Sequence, residues 1–178
     1  QGGRPGRAGM SGVHTAMTNT DQSDDQSRPG MSGVHTGMTN TGQSDYQSRP
    51  GMSGVHTGMT NTLNTPIEAL ERAFPLKVRR YRLRQGSGGA GLSPGGDGIE
   101  RDLEVLEDCT ASLITERRTS RPWGLAGGEP GAPGENWLVP GGDESRAERL
   151  LDKCTIELRA GDVLRILTPG GGGWGPQV

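Results

Sequence analysis

Apolar and polar residues alternate most clearly after residue 75. Leu76 to Arg84 and Ile99 to Leu106 both carry the two-residue rhythm and β-compatible side chains of strands, and the polar, glycine-rich run Gln85 to Gly98 separates them. The first is studded with Lys77, Arg79, Arg80, Arg82 and Arg84, the second with Glu100, Asp102, Glu104 and Glu107. Paired antiparallel, they set opposite charges across from one another, at about 0.2–1 kcal/mol per good pair, and the basic run reads as a solvated charged face rather than an anion site. Further strands are expected at Thr110 to Arg117, Cys154 to Leu158 and Val163 to Leu167, the last two joined by the turn Arg159-Ala160-Gly161-Asp162. Helical signals are fewer. Thr65-Pro66-Ile67-Glu68 offers a capping hydroxyl, Pro at the first helical position and Glu at the third, so a short helix from Pro66 to about Ala73 is expected, with Pro75 stopping it. A second helix is expected over Glu144 to Leu151. The fold class predicted is mainly β (α+β): a loop-rich antiparallel β-domain with one or two short helices.

The first third behaves differently. Met10-Ser11-Gly12-Val13-His14-Thr15 recurs at Met31 to Thr36 and Met52 to Thr57, each copy continuing as x-Met-Thr-Asn-Thr. Of the chain's Leu, Ile, Val and Phe residues, only Val13, Val34 and Val55 precede residue 63, so one copy offers one Val and two Met to bury. A solenoid needs far more apolar surface than that. Residues 1–50 therefore read as a duplicated, disordered low-complexity segment, and residues 51–178 as the folded domain. Only the third copy runs into folded sequence, through Leu63-Asn64-Thr65-Pro66.

Composition sharpens the division. The 178 residues include 32 Gly and 12 Pro, with 19 basic against 21 acidic side chains. The near-neutral balance and six aromatics give no nucleic-acid footprint. No apolar run approaches the ~20 residues of a membrane span, and none makes a signal-peptide core. Cys109 and Cys154 read as reduced structural thiols. The chain starts with Gln1 and is read as a piece of something longer.

Glycine motifs carry little chemistry here. Gly86-Ser87-Gly88-Gly89-Ala90-Gly91 fits the dinucleotide spacing, yet Leu92-Ser93-Pro94-Gly95-Gly96 cannot open the helix whose amino terminus would meet a pyrophosphate. Histidine matters more: His14, His35 and His56 each stand among hydroxyls and an amide, a grouping able to polarise a carbonyl or hold a phosphoryl group, although polar loop residues would look the same. No Cys or carboxylate stands at metal-site spacing from His56.

From residue 54 onward, collinear blocks carry a resemblance. Gly54-Val55-His56-Thr57 leads into Met59-Thr60-Asn61-Thr62-Leu63-Asn64-Thr65-Pro66-Ile67-Glu68. Thr115-Glu116-Arg117-Arg118, Pro122-Trp123-Gly124-Leu125-Ala126-Gly127-Gly128 and Thr168-Pro169-Gly170-Gly171-Gly172-Gly173-Trp174-Gly175 follow in order. Together they resemble the carboxyl-terminal part of the hydantoinase B/5-oxoprolinase family. The resemblance implies a cytoplasmic ATP-dependent enzyme that opens a small cyclic amide such as 5-oxoproline or a hydantoin. It implies a hydantoinase A-like partner in a hetero-oligomer. ATP with its divalent metal would be bound by that partner or by the portion missing here, with no metal ligand assigned in this chain. The site candidates it implies are His56, Thr57, Asn61 and Asn64, with Arg117 as a substrate or anion contact. Family members often carry a second His where Gly58 stands. A structural or assembly module of a related carboxylase, and an inactive fragment, remain alternative readings.

Repeats without buried contacts contribute little stability. A chain beginning near Gly51 is expected to melt at the temperature of the whole chain, and a clear loss in a thermal scan would show that the copies pack.

Overall fold

The computed structural model describes residues 17–19, 33–36, 53 and 66–176. It is mostly antiparallel sheet. The elements are β1 (Met17–Asn19), β2 (Gly33–Thr36), α1 (Ile67–Ala73), β3 (Leu76–Arg84), β4 (Gly98–Val105), β5 (Cys109–Thr115), β6 (Glu135–Val139), β7 (Glu148–Leu150), β8 (Lys153–Leu158) and β9 (Val163–Leu167). Two sheets form, one ordered β3-β4-β9-β6-β7 and one ordered β1-β2-β5-β8. Two described stretches of the repeat are thus strands: β2 lies parallel to β5, and β1 antiparallel to β2. The rest of the segment expected to be disordered lies outside the described residues, so the melting comparison also reads what this edge pairing contributes.

Inward residues of the two sheets interdigitate, with Leu113 of β5 against Leu164 and Ile166 of β9, and Leu150, Cys154 and Ile156 packed around them. α1 adds Leu70, which is fully buried. The helix starts one residue later than its sequence signal suggests. Pro66 is its cap, extended at ψ 141°, and its carbonyl accepts the Leu70 N–H at 2.9 Å. Both cysteines are free, and burial pushes their thiols up, away from the reactive thiolate.

β3 and β4 pair as their charges require: Lys77 opposes Glu104, Arg80 opposes Asp102 and Arg82 opposes Glu100, with a bulge between Val78 and Arg80. Arg79, at the bulge, grips Glu104 through two 2.7 Å hydrogen bonds. The face is less solvated than expected. Glu100 and Asp102 are buried, because Arg165 of β9 reaches across to hold Asp102 at 2.9 Å and also takes Glu144. A third strand therefore closes what two strands alone would leave wet.

The helix expected over Glu144 to Leu151 is absent. Asp143 does cap, its carboxylate accepting the Ser145 N–H at 3.0 Å, but a single 3-10 turn over Glu144–Arg146 follows. Ala147 is extended, and Glu148–Leu150 become β7 on the edge of β6. Weak helix propensity yields here to an open sheet edge and to the pull of Arg165 on Glu144. β6 itself, Glu135–Val139, was hidden behind the glycines that precede it. At Arg159–Asp162 the expected turn is present, with Gly161 at φ 92° and the Asp162 N–H on the Arg159 carbonyl, yet it joins strands of different sheets.

The glycine blocks form a layer of their own, and no helix opens at residues 92–97 behind Gly91. Residues 86–98, 124–134 and 170–175 lie backbone on backbone: Gly89 N–H donates to Gly171 O, Gly171 N–H to Gly96 O, Gly173 N–H to Glu129 O and Glu129 N–H to Ala90 O, at 2.7–2.9 Å. A Cβ at Gly170 would collide with the Ser87 carbonyl, and one at Gly172 with that of Trp123. Only chain without side chains approaches so closely.

These ion pairs set a pH limit. Burial pushes the Glu100 carboxyl up, but hydrogen bonds from Arg82 and Arg80 outweigh it and hold the group below its ordinary 4.5. Hydrogen bonds from Arg79 and Arg165 likewise lower Glu104 and Glu144. Carboxyls lowered in the fold stabilise it above their unfolded value and lose that contribution as pH falls through the folded one. Melting temperature is therefore expected to hold down to about pH 4.5 and to fall below it, with a shallower fall in Glu100→Gln, as measured by thermal scans across an acid series.

Candidate functional site

Past the end of β5 the chain turns sharply at Glu116-Arg117-Arg118. Arg117 adopts φ 58°, a left-handed conformation costing a non-glycine residue roughly 1–2 kcal/mol. Neighbouring contacts hold it there. Arg118 turns inward, buried, donating through Nε and Nη2 to Asn136 Oδ1 at 3.2 and 3.1 Å and through Nη1 to the Glu116 carbonyl at 2.7 Å. Asn136 in turn donates to Thr115 Oγ1 at 2.9 Å and to the Leu151 carbonyl. Burial, with the nearby Arg84 cation adding to it, lowers Arg118 to about 10, so at neutral pH it remains a cation.

With Arg118 committed inward, Arg117 is directed outward. Its guanidinium lies over the Trp123 ring, 4.4 Å from the centroid, and the indole is 58% exposed. Arg117 makes no ion pair among the described residues, so its donors remain available to an anion while the ring fixes its plane. Trp123 is carried by the glycine layer: the Pro122 carbonyl accepts the Gly131 N–H, and Arg121 donates to the Gly131 carbonyl at 3.1 Å. A flat cation is thus presented at the rim of a rigid layer.

The remaining sequence candidates, His56, Thr57, Asn61 and Asn64, lie outside the described residues. Ser53, a described residue before them, accepts the Asp97 N–H on its Oγ at 2.8 Å, and the described chain resumes at Pro66. Asp97 belongs to the glycine layer, its carboxylate accepting the Gly88 N–H at 2.9 Å. Sequence reasoning missed Trp123, Arg118 and Asn136. The adjacent arginines were visible, but which one turns inward is decided by Asn136, 18 residues away. Among the described residues no group of three His, Cys, Asp or Glu is arranged to hold a metal ion. No described helix is long and apolar enough to cross a membrane.

The pattern of the hydantoinase B/oxoprolinase family matches residues 25–177. The chain belongs to this family. An uncharacterised protein of Methanocaldococcus jannaschii is 46% identical over 113 residues, covering 64% of this chain and 20% of that protein. 5-Oxoprolinase 1 of Arabidopsis thaliana is 43% identical over 114 residues, covering 64% of this chain and 9% of its own length. Among solved structures, the ATP-dependent caprolactamase of Pseudomonas jessenii superposes with TM-score 0.57 at 29% identity, over 64% of this chain and 20% of that one. The chain thus spans a fifth or less of these relatives.

Asn136→Ala would leave the buried Arg118 guanidinium short of its acceptor. A loss of about 3 kcal/mol or more is expected in denaturant melts, together with a shift in Trp fluorescence as Arg117 loosens from Trp123.

Proposed function

We propose that this chain forms the carboxyl-terminal part of an ATP-dependent cyclic-amide hydrolase of the 5-oxoprolinase or hydantoinase type, cytoplasmic and acting with a hydantoinase A-like partner in a hetero-oligomer. The observation that carries it is the family match across residues 25–177, joined to relatives named 5-oxoprolinase and caprolactamase. A lactam carbonyl resists water because nitrogen donates into it. Phosphorylation of the carbonyl oxygen at the expense of ATP removes that resistance and leaves an electrophile that water attacks. ATP and its divalent metal belong in this reading to the partner or to the portion this chain does not span.

The task left to this chain is to hold negative charge. Arg117, stacked on Trp123 and unpaired among the described residues, suits the phosphoryl group or a substrate carboxylate. His56, Thr57, Asn61 and Asn64 supply the hydroxyl, imidazole and amide groups for the phosphoryl and the tetrahedral oxyanion. A second reading makes the chain an assembly module only, favoured by how fully its buried charges close among themselves around Asp102.

The test is a complete enzyme carrying residues 51–178 as its carboxyl-terminal part, assayed on 5-oxoproline and on a hydantoin. His56→Ala is expected to lower kcat by about 100-fold or more, and Arg117→Ala to raise KM or lower kcat by about 10-fold or more. Unchanged turnover in both variants leaves the assembly reading.

A further inference from the structure

The histidine motif occurs in more than one place, and its residues cannot choose between the copies. The chain is identical from Gln26 to Thr41 and from Gln47 to Thr62. Whatever His56, Thr57 and Asn61 are able to do as chemical groups, His35, Thr36 and Asn40 are able to do as well. Position has to decide which copy serves a site.

Among the described residues, the second copy is the one placed against the Arg117 turn. β2 runs parallel to β5, with Val34 beside Leu113, His35 beside Ile114 and Thr36 beside Thr115. This register takes in the end of β5 nearest the turn, and both strands run toward it. His35 falls on the face of Ile114, which is 55% exposed, so that face is open to a ligand. Arg117 follows three residues after Ile114. Neighbouring strands lie about 5 Å apart and three residues of chain span at most about 11 Å, so the backbones of His35 and Arg117 are no more than about 15 Å apart. A histidine and an arginine are together long enough to close that distance around one small oxyanion.

The post that β2 aligns with is rigid. Thr115 is fully buried, its N–H and Oγ1 both donate to the Asp152 carbonyl at 2.9 and 2.7 Å, and its Oγ1 accepts from Asn136 at 2.9 Å. Asn136 also turns Arg118 inward and so leaves Arg117 outside. One buried amide therefore fixes the cation and the strand end beside which His35 is placed. The other edge of β5 belongs to β8, and without β2 and its partner β1 the smaller sheet is a two-stranded unit, which is marginal on its own.

We infer that His35 is a further residue of the anion-holding site, set beside Arg117 by the register of β2, and that the pair takes a phosphoryl group or a carboxylate between them. This rests on the reading of Arg117 as an anion contact in a cyclic-amide hydrolase.

The seat is read by cross-linking in the 178-residue chain carrying Cys109→Ser and Cys154→Ser. Register partners lie within reach of a disulfide. Under mild oxidation, Ile114→Cys with His35→Cys is expected to link at least about 10-fold faster than Ile114→Cys with His56→Cys, and equal or reversed rates overturn the inference. The ligand is read with inorganic phosphate in a tryptophan-fluorescence titration of the unaltered chain. His35→Ala is expected to weaken phosphate binding by about 3-fold or more, and Arg117→Ala by more than that. His35→Val, a better strand former without ring nitrogens, is expected to match His35→Ala. Binding that His35→Val leaves intact makes the residue a strand position only and overturns the inference, as does binding that neither His35→Ala nor Arg117→Ala weakens. In a complete enzyme carrying all 178 residues, His35→Ala is expected to lower kcat by about 10-fold or more, with part of the loss restored by millimolar imidazole. An enzyme that turns over no lactam, while the chain keeps His35-dependent phosphate binding, sinks the proposed activity and leaves this anion site standing.

Discussion

The approach of bare backbone to bare backbone is the constraint on which the rest of this domain depends. At Gly170 and Gly172 the neighbouring carbonyls occupy the volume that any Cβ would need. Three separated segments can therefore stack at hydrogen-bonding distance with nothing between them, and their amides and carbonyls satisfy one another across the stack. Apolar burial does little of this work. The layer gains rigidity from hydrogen bonds and close contact, and it lends that rigidity to Trp123, to the Ser53 anchor and to Arg84, which donates to the Pro133 and Thr168 carbonyls.

Charge plays the complementary part in the larger sheet. Asp102 is almost wholly buried and is held by Arg165 from one side and Arg80 from the other, with Glu100 beside it shared by Arg80 and Arg82. The lattice aligns three strands by matching charges, and it satisfies its own members. Arg101 and Arg117 are exceptions of different kinds, one buried with its Nε unpartnered and the other half-buried over a tryptophan. Both are cations that the described fold positions without neutralising.

Much of this was legible in the chain. Alternation and complementary charge located β3 and β4 to within a residue and gave their pairing, because each strand carries its pattern locally. β9 was read at its full extent. What escaped depended on residues far apart: β6 lies behind a run of glycines, and β7 is strand only because β6 offers an edge and Arg165 draws Glu144 away. In the candidate site the motif showed two adjacent arginines, while which of Arg117 and Arg118 turns inward rests on Asn136, across a loop. The glycine layer was foreseen as loops. Its segments do lack regular structure, but the absence of side chains that marked them as turns is what lets them pack.

The order of assembly follows from where β9 and the glycine segment after it sit. β9 occupies the middle of its sheet, between β4 and β6, and residues 170–175 bond to both other glycine segments. Neither the sheet nor the layer can close before β9 and residues 170–175 have been made, because these pieces join their halves. Until then β4 and β6 expose unpaired edges, and the glycine segments have nothing to stack on. Folding is thus weighted toward a late, long-range step, the slow kind set by loop closure rather than by local propensity.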